Sequence, residues 1–329
     1  MFRFLGNLIS PAGSRGRLAV LIYHRALAVP DPILSDEIDA ATFEGHMTML
    51  AAEFNVLPLS EACARLERGS LPARAVCVTF DDGYADNEEI ALPVLQRLRL
   101  PATFFVATGY SAGGCMFNDG VIEVVRSAAG GTHDLSRWGL GSVTLGDAAS
   151  RRDAVAQLID ALKYRPCAER QHTVEAVACA LSARLPANLM MTDAQILRLH
   201  RAGMEIGAHT VHHPILASVG DEEAREEIVA GKRALEAITG SPVTLFAYPN
   251  GKPGRDYDPR HVRFVKEAGY RAAVSTINGI AHRGSDLYQL PRYGPWERDA
   301  RRLAARLLLA CAQTAPVRAA KRHVPLPEN

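Results

Sequence analysis

Six short runs of the chain are continuously apolar, and they predict strands of a parallel sheet that is buried on both faces. A sheet with one face in water would instead alternate apolar and polar residues. Segments with helical periodicity separate most of the runs, which favours an α/β fold built on either a barrel or a doubly wound sheet. The predicted strands are residues 18–24, 75–80, 102–108, 204–210, 243–249 and 270–276.

Helical patterns predict helices at residues 43–54, 87–98 and 221–240. The last is the clearest, because Asp221 is suited to an N-cap, acidic residues fill the first turn, and Gly240 closes the pattern. Pro93 interrupts the second pattern, which predicts a kink or a first-turn position there.

The alternation of strands and helices stops between about residues 112 and 190. Apolar residues in this stretch recur at helical spacing, first in 155–162 and again in 174–185. We therefore predict a helical insertion within a single domain that covers residues 1–329. Two interpretations remain open for it: a helix pair that stabilises the barrel rim, or a cap that shapes a substrate cleft.

Composition restricts the class of protein. Of the 329 residues, 48% are hydrophobic and 22% are charged, which is typical of a folded globular chain. The net charge is +1, so nucleic acid is not expected as a partner. The six cysteines are widely spaced, which argues against a thiolate zinc site and favours free thiols. The apolar stretch before Pro11 is too short for a secretory signal and no later run reaches transmembrane length, so we predict a cytoplasmic protein.

Two adjacent aspartates, Asp81 and Asp82, follow the predicted strand that ends at Phe80. Catalytic groups of parallel α/β folds gather at this end of the strands. Successive side chains of an extended segment point in opposite directions, so one carboxylate can bind a metal while the other faces the reacting atoms. Alone, however, an Asp-Asp-Gly sequence is typical of a turn.

Three histidines follow another predicted strand: His209, His212 and His213. Histidines three or four residues apart converge on one cation when the turn between them is helical. Two imidazoles and one carboxylate make the ligand set of a catalytic zinc site, whose fourth position is open to water. A histidine cluster alone more often forms a hydrogen-bonded loop, but its combination with the paired aspartates favours a metal site.

The motif TFDDG at 79–83, followed by H-T-x-x-H-P at 209–214, resembles the polysaccharide deacetylases of the NodB-homology type, known as carbohydrate esterase family 4. The resemblance extends from about Leu18 to Tyr293. It implies a distorted (β/α) barrel and a metal-dependent hydrolase that removes N-acetyl groups from amino sugars, releasing acetate. The metal it implies is first Zn²⁺, with Co²⁺, Ni²⁺ or Mn²⁺ as alternatives.

The resemblance also implies roles for individual residues. Asp82, His209 and His213 would bind the metal, and Asp81 would be the catalytic base. His212 is then left outside the ligand set.

One family motif is altered. Residues 246–251 resemble the segment in which an arginine steadies the base and a backbone N–H helps to bind the oxyanion, but Ala247 stands in place of the arginine. The backbone N–H of Asn250 remains available for the second role, since it does not depend on a side chain. The missing cation could come from Arg25, from Arg292 or from neither, because spacing along the chain does not decide.

A second family motif, a late leucine-x-histidine pair, is absent from this sequence. A circularly permuted subset of the family brings its general-acid histidine from the N-terminal part, and residues 21–25 (LIYHR) resemble that version, which implies that His24 is the acid. The alternative for His24 is a strand cap bonded to backbone. Asp86 and Asn87 either orient the site or cap the following helix, and capping is preferred for Asn87.

The expected substrate is an N-acetylated glycan or a sugar conjugate, including lipid-linked and nucleotide-linked sugars. Because Ala247 removes an expected catalytic arginine, a carbohydrate-binding pseudoenzyme is one alternative. A deformylase or another amide hydrolase on the same scaffold is a further one.

Residues 297–329 predict a basic C-terminal helix and tail, in which Leu303, Leu307 and Leu308 lie among many arginines. Such a helix can lie on the anionic inner face of a membrane. The alternative, which is preferred, is that the helix packs on the barrel and leaves its arginines in solvent.

Overall fold

The computed structural model describes residues 2–313. The strands are β1 Arg17–Tyr23, β2 Ala26–Leu27, β3 Ile38–Asp39, β4 Asn55–Val56, β5 Ala75–Phe80, β6 Thr103–Val106, β7 Gly131–Asp134, β8 Ser142–Leu145, β9 Glu205–Ala208, β10 Leu245–Ala247, β11 Ala272–Asn278, β12 Ala281–His282 and β13 Leu290–Arg292. The α-helices are α1 Phe2–Ile9, α2 Ala40–Glu53, α3 Leu59–Arg68, α4 Leu92–Leu98, α5 Phe117–Ser127, α6 Ala148–Leu162, α7 Cys167–Ala180, α8 Asp193–Arg201, α9 Asp221–Thr239, α10 Pro259–Glu267 and α11 Ala300–Ala312.

Parallel strands run around the main sheet in the order β1-β5-β6-β9-β10-β11-β13. The two ends of this run meet, because Tyr293 N–H donates to the Val20 carbonyl and Ile22 N–H donates to the Tyr293 carbonyl. The sheet is therefore barrel-like and not doubly wound. β12 lies antiparallel to β1, and β4 lies parallel to β5. All six predicted strands are confirmed as members of the barrel, with small differences at their ends.

Alternate residues of the barrel strands face two hydrophobic clusters. Along β1, Ala19 and Leu21 contribute to a cluster that contains side chains of the outer helices, such as Phe43 of α2. Leu18 and Val20 contribute to a second cluster, made of strand residues and α3, which fills the barrel interior. Because both faces of the strands are buried, their sequences are continuously apolar.

Two helix predictions are refined by the structure. The helix predicted at 221–240 is α9 and ends at Gly240 as expected, but its N-cap is Gly220. Asp221 is instead the first helical residue, where its negative charge interacts favourably with the positive end of the helix dipole. The pattern at 87–98 divides into a π-helical turn and α4, and Pro93 lies in the first turn of α4, where its missing N–H is tolerated.

The segment between residues 112 and 190 contains three helices and a hairpin. α5, α6 and α7 pack around a hydrophobic cluster of their own. β7 and β8 also pair antiparallel within this segment, so the predicted helical insertion contains a hairpin that the sequence did not indicate. The strands escaped prediction because β7 is mostly exposed and carries no apolar run. The assignment of the whole chain to one domain stays a prediction.

The last described helix packs on the barrel. Leu303, Leu307 and Leu308 of α11 are buried and belong to the cluster between barrel and helices. The apolar face predicted for this helix is therefore covered by the protein. The rest of the predicted basic tail lies outside the described residues. None of the helices in the described part of the chain has the length and apolar character that crossing a bilayer requires, and all six cysteines are free thiols.

Candidate active site

The residues predicted to bind metal lie together at the carboxyl ends of two barrel strands. Asp82 follows β5, whereas His209 and His213 follow β9. One ligand atom of each residue lies within 4.8 Å of the others. Oδ1 of Asp82 is 3.4 Å from Nε2 of His209 and 3.4 Å from Nε2 of His213. One carboxylate oxygen and two imidazole nitrogens at this spacing fit a divalent cation.

The loops that carry these residues have unusual backbone conformations. Seven non-glycine residues in the described chain have positive φ angles, and four of them lie at this site: Asp82, Thr210, His213 and Asn250. Such conformations persist only where the surrounding structure enforces them, and they cluster at functional sites. Gly83 is also required here, because a Cβ atom on it would lie 2.9 Å from Cγ1 of Val106. The loop after β5 thus passes directly against β6.

The pKa shifts favour the metal-binding forms of His213 and Asp82, whereas at His209 the carboxylates of Asp81 and Asp82 outweigh burial and raise the pKa of the imidazole. Nδ1 of His209 lies 2.8 Å from the Ala247 carbonyl and donates to it, which leaves the Nε2 lone pair facing Asp82. Burial lowers the pKa of His213 to about 4, so this imidazole is neutral at pH 7. Burial opposes ionisation of Asp82, but the neighbouring histidines outweigh it and lower the pKa of this carboxyl.

His212 points away from the other two histidines. Its Nδ1 is 2.7 Å from Oε1 of Glu227, and its side chain is 56% exposed. Arg170 of α7 stabilises the same loop, because its guanidinium donates to the carbonyls of His212 and His213 at 3.1 and 3.0 Å. The sequence reasoning missed Arg170. An arginine on the buried face of α7, in register with Val174 and Val177, was the available signal.

The cation that Ala247 cannot provide is present in the structure as Arg292. Its Nη1 and Nη2 donate to the two carboxylate oxygens of Asp81 at 2.7 and 2.6 Å. Its Nε donates to the Ser275 carbonyl at 2.9 Å, so the guanidinium is held on both sides. Both Asp81 and Arg292 are buried. Burial opposes ionisation of Asp81, but Arg292 outweighs it and lowers the pKa of this carboxyl.

Arg25, the other candidate, has a different partner. Its Nε donates to Oδ2 of Asp86 at 2.8 Å, and its guanidinium lies 4.8 Å from the ring centroid of Tyr84. Asp86 also accepts a hydrogen bond from the Ala26 N–H. Arg25 and Asp86 therefore anchor the loop after β1, and of the two predicted alternatives Arg292 is the one that contacts Asp81.

His24 lies on this anchored loop, half-buried, on the side of the metal-binding residues. Its carbonyl accepts a hydrogen bond of 2.9 Å from Nδ2 of Asn87. Asn87 therefore orients this loop, and the preference for a helix cap at Asn87 is wrong. Within residues 2–313, the His24 ring has no hydrogen-bond partner, unlike a histidine that caps a strand. The ring is thus free to contact a substrate.

Asn250 lies on the loop after β10, facing the same cavity. Its backbone N–H has no acceptor in the described part of the chain. The carbonyl of the same peptide unit, that of Pro249, accepts from the Gly251 N–H at 2.6 Å, and the Asn250 carbonyl accepts from the Thr276 hydroxyl, so the peptide is held on both sides. An N–H that is held in place and unpaired is suited to bind a developing oxyanion.

All six predicted site residues line one cavity of about 600 Å³. The segment between residues 112 and 190 forms part of its wall through residues of α5 and the α6–α7 connection, which favours the cap interpretation of that segment. Asp119 and Trp296 are among the wall residues that the sequence did not assign to the site. Burial raises the pKa of Asp119 to about 7, and the Tyr84 hydroxyl donates to it at 2.9 Å. Trp296 is 71% exposed at this cavity.

Comparisons with known proteins agree with this architecture. A curated relative, the putative polysaccharide deacetylase YxkH of Bacillus subtilis (strain 168), is 22% identical over 283 residues, which is 84% of this chain and 70% of the relative. The Streptococcus pyogenes deacetylase PplD, solved in complex with acetate, superposes with a TM-score of 0.58 at 20% identity, covering 84% of this chain and 92% of PplD. IcaB from Ammonifex degensii gives a TM-score of 0.58 at 19% identity, covering 91% and 98%.

The two solved structures share the fold of this chain, and the sequence itself carries the family assignment. The polysaccharide deacetylase family model matches residues 68–138 and 147–273, which is more than half of the chain. The matched ranges contain the paired aspartates, the histidine cluster and the loop of Asn250. The chain belongs to the polysaccharide deacetylase family.

Proposed function

We propose that the protein is a metal-dependent hydrolase that removes N-acetyl groups from an amino-sugar-containing glycan or glycoconjugate. One observation carries the proposal: Asp82, His209 and His213 converge beside the buried Asp81–Arg292 pair, in a cavity large enough for a sugar residue. Family membership supports glycan deacetylation as the general activity.

The donor set fits a divalent cation, and Zn²⁺ is the first candidate because it prefers imidazole and carboxylate ligands in a site with an open position. Co²⁺, Ni²⁺ and Mn²⁺ accept similar ligands. When bound, such a cation supplies Lewis-acid chemistry: it polarises an amide carbonyl and lowers the pKa of water.

The chain's own residues would perform the proton transfers. Asp81, held ionised and oriented by Arg292, takes the proton of the attacking water. The backbone N–H of Asn250 donates to the tetrahedral oxyanion. His24 in its protonated form donates to the departing amine, which releases acetate and a free amino sugar.

The presence of Arg292 at Asp81 bears on the pseudoenzyme alternative, which Ala247 had motivated. The expected cation is supplied from β13, so this departure from the family motif no longer favours loss of catalysis.

The direct test is acetate release from N-acetylated oligosaccharides and sugar conjugates by the metal-loaded protein. We expect mass spectrometry to detect the loss of one acetyl group, chelation to stop the reaction, and added metal to restore it. Binding of glycans without any release would instead favour the pseudoenzyme. Release of formate from N-formyl substrates, with no acetate released from N-acetyl ones, would favour the deformylase.

His24→Ala is expected to lower kcat by about 10²–10⁴-fold, because the leaving amine loses its proton donor. Metal content should be unchanged, since His24 is not one of the ligands. The measurement is steady-state acetate release together with elemental analysis. His172→Ala is a matched control, because His172 is exposed on α7 and does not line the cavity. Full activity in the His24 variant would exclude His24 as the acid.

Trp296→Ala is expected to raise KM for a glycan by about tenfold with little change in kcat, because the exposed indole offers a stacking surface for a sugar ring. The indole lies directly against Gly294, where only glycine leaves room for it, since a Cβ atom there would lie 2.4 Å from the ring. Trp296→Phe should give an intermediate KM. Equal KM values for all three proteins would show that the indole does not contact the substrate.

A further inference from the structure

We propose that a surface at the amino-terminal end of the barrel binds an anionic phospholipid bilayer. We call it the α1 surface. It consists of an apolar part on α1 and a basic part beside it, and its defining residues are Phe4, Leu5, Leu8, Arg15, Arg17 and Arg283.

The apolar part is the outer face of α1. The inner face packs on the protein, where Gly6 lies against Leu308 of α11. The outer face presents Phe4 and Leu8, which are 72% and 68% exposed, together with Leu5. Leu309 of α11 is also exposed, so these two contacting helices hold four of the seven large apolar side chains exposed in the described chain. Apolar side chains gathered in this way, and not scattered singly, mark an interaction site.

The basic part is a cavity of about 420 Å³, separate from the active site. Arg15, Arg17, Arg283 and His282 line it, and no carboxylate does. None of these three arginines forms a salt bridge with another residue of the 2–313 range, although many other arginines of the protein do. Unpaired guanidinium groups around a cavity are suited to bind phosphate, because their planar donors match its oxygens.

The two parts are continuous, and this continuity identifies the ligand. Leu8 is exposed on α1 and also lines the basic cavity. A free phosphate compound would use the arginines but leave Phe4 and Leu5 in water. A phospholipid bilayer offers both phosphate groups and an apolar layer beneath them, which matches a helix with basic residues beside its apolar face.

The location differs from the one predicted from the sequence. The leucines of α11 that suggested membrane contact are buried, whereas α1, at the other end of the described chain, exposes its apolar residues. The inference does not depend on the proposed function, since none of its residues lines the active-site cavity.

The test is cosedimentation of the full-length protein with vesicles. We expect binding to vesicles of phosphatidylglycerol mixed with phosphatidylcholine, weaker binding as salt is raised, and little binding to phosphatidylcholine alone. The double variants Phe4→Glu/Leu8→Glu and Arg15→Ser/Arg283→Ser should each weaken binding at least tenfold. Val29→Glu is the matched control, because Val29 is 69% exposed on another loop. Circular dichroism verifies that each variant is folded.

Three results would overturn the proposal. The first is a wild-type protein that does not bind anionic vesicles at low salt. The second is binding that the Phe4/Leu8 variant retains and soluble glycerol phosphate abolishes, which would make the cavity a site for free phosphate. The third is a dimer, detected by analytical ultracentrifugation, that the same variant disrupts while vesicle binding is unaffected, because a second copy would then cover the α1 surface.

Discussion

Asp82→Ala is expected to lose bound metal, because one of its three protein ligands is removed. Turnover should fall by about 10³-fold or more, because the metal that stabilises charge in the transition state is then missing. His209→Ala should behave in the same way. Asp81→Asn should keep its metal and still lose turnover, since Asp81 faces Arg292 and not the ligand set. Elemental analysis after gel filtration, together with acetate release, measures both properties.

These variants need two controls. Asp82 has a φ angle of 73°, so alanine at this position adds backbone strain, whereas Asp82→Asn preserves the shape of a residue type that tolerates positive φ. His212→Ala removes a histidine of the same loop that faces Glu227, and it should keep both metal and activity. Full metal content in Asp82→Ala and His209→Ala would place the metal elsewhere. Loss of metal in Asp81→Asn would make Asp81 a ligand.

Arg292→Ala is expected to lower the free energy of unfolding by about 3–5 kcal/mol, because it leaves the carboxylate of Asp81 buried and unpaired. Turnover should fall as well, since the base loses the group that orients it. Arg292→Lys keeps the charge but cannot contact both carboxylate oxygens in the same planar geometry, so its stability and activity should lie between those of the wild type and the alanine variant. Denaturant unfolding followed by circular dichroism gives the free energies.

A double variant separates stability from catalysis at this pair. Asp81→Asn/Arg292→Met removes both charges, and we expect it to recover much of the stability lost in Arg292→Ala. It should not recover activity, because the carboxylate that accepts the proton is gone. An Arg292→Ala protein as stable as the wild type would mean that water or another cation compensates Asp81.

The barrel strands could be predicted because burial on both faces makes each strand continuously apolar, as in β5, where all six residues are buried. The apolar pattern alone left a barrel and a doubly wound sheet both open, because closure depends on hydrogen bonds between β1 and Tyr293, which are distant in sequence. Only the family resemblance indicated the barrel. The β7–β8 hairpin was missed for a different reason, which is not distance along the chain. Its pairing is local, but only β8 alternates exposed and buried residues, and four residues are too few to stand out.

Part of the candidate site could likewise be predicted from the sequence, and part of it could not. Asp81, Asp82, His209 and His213 belong to two short motifs, so the sequence alone indicated which residues would meet. The partner of Asp81 was undetermined because Arg25 and Arg292 are equivalent by residue type, and only the path of β13 brings one of them to Asp81.

The first strand of the barrel connects the two surfaces for which we propose functions. β1 begins with Arg17, which lines the basic cavity, and the residue after its end is His24. At a rise of about 3.3 Å per residue, the seven steps from Arg17 to His24 separate the two residues by about 23 Å. A protein docked on lipid by its α1 surface would therefore keep its catalytic opening well above the headgroups. It would reach sugars that extend into the water and not those directly attached to lipid.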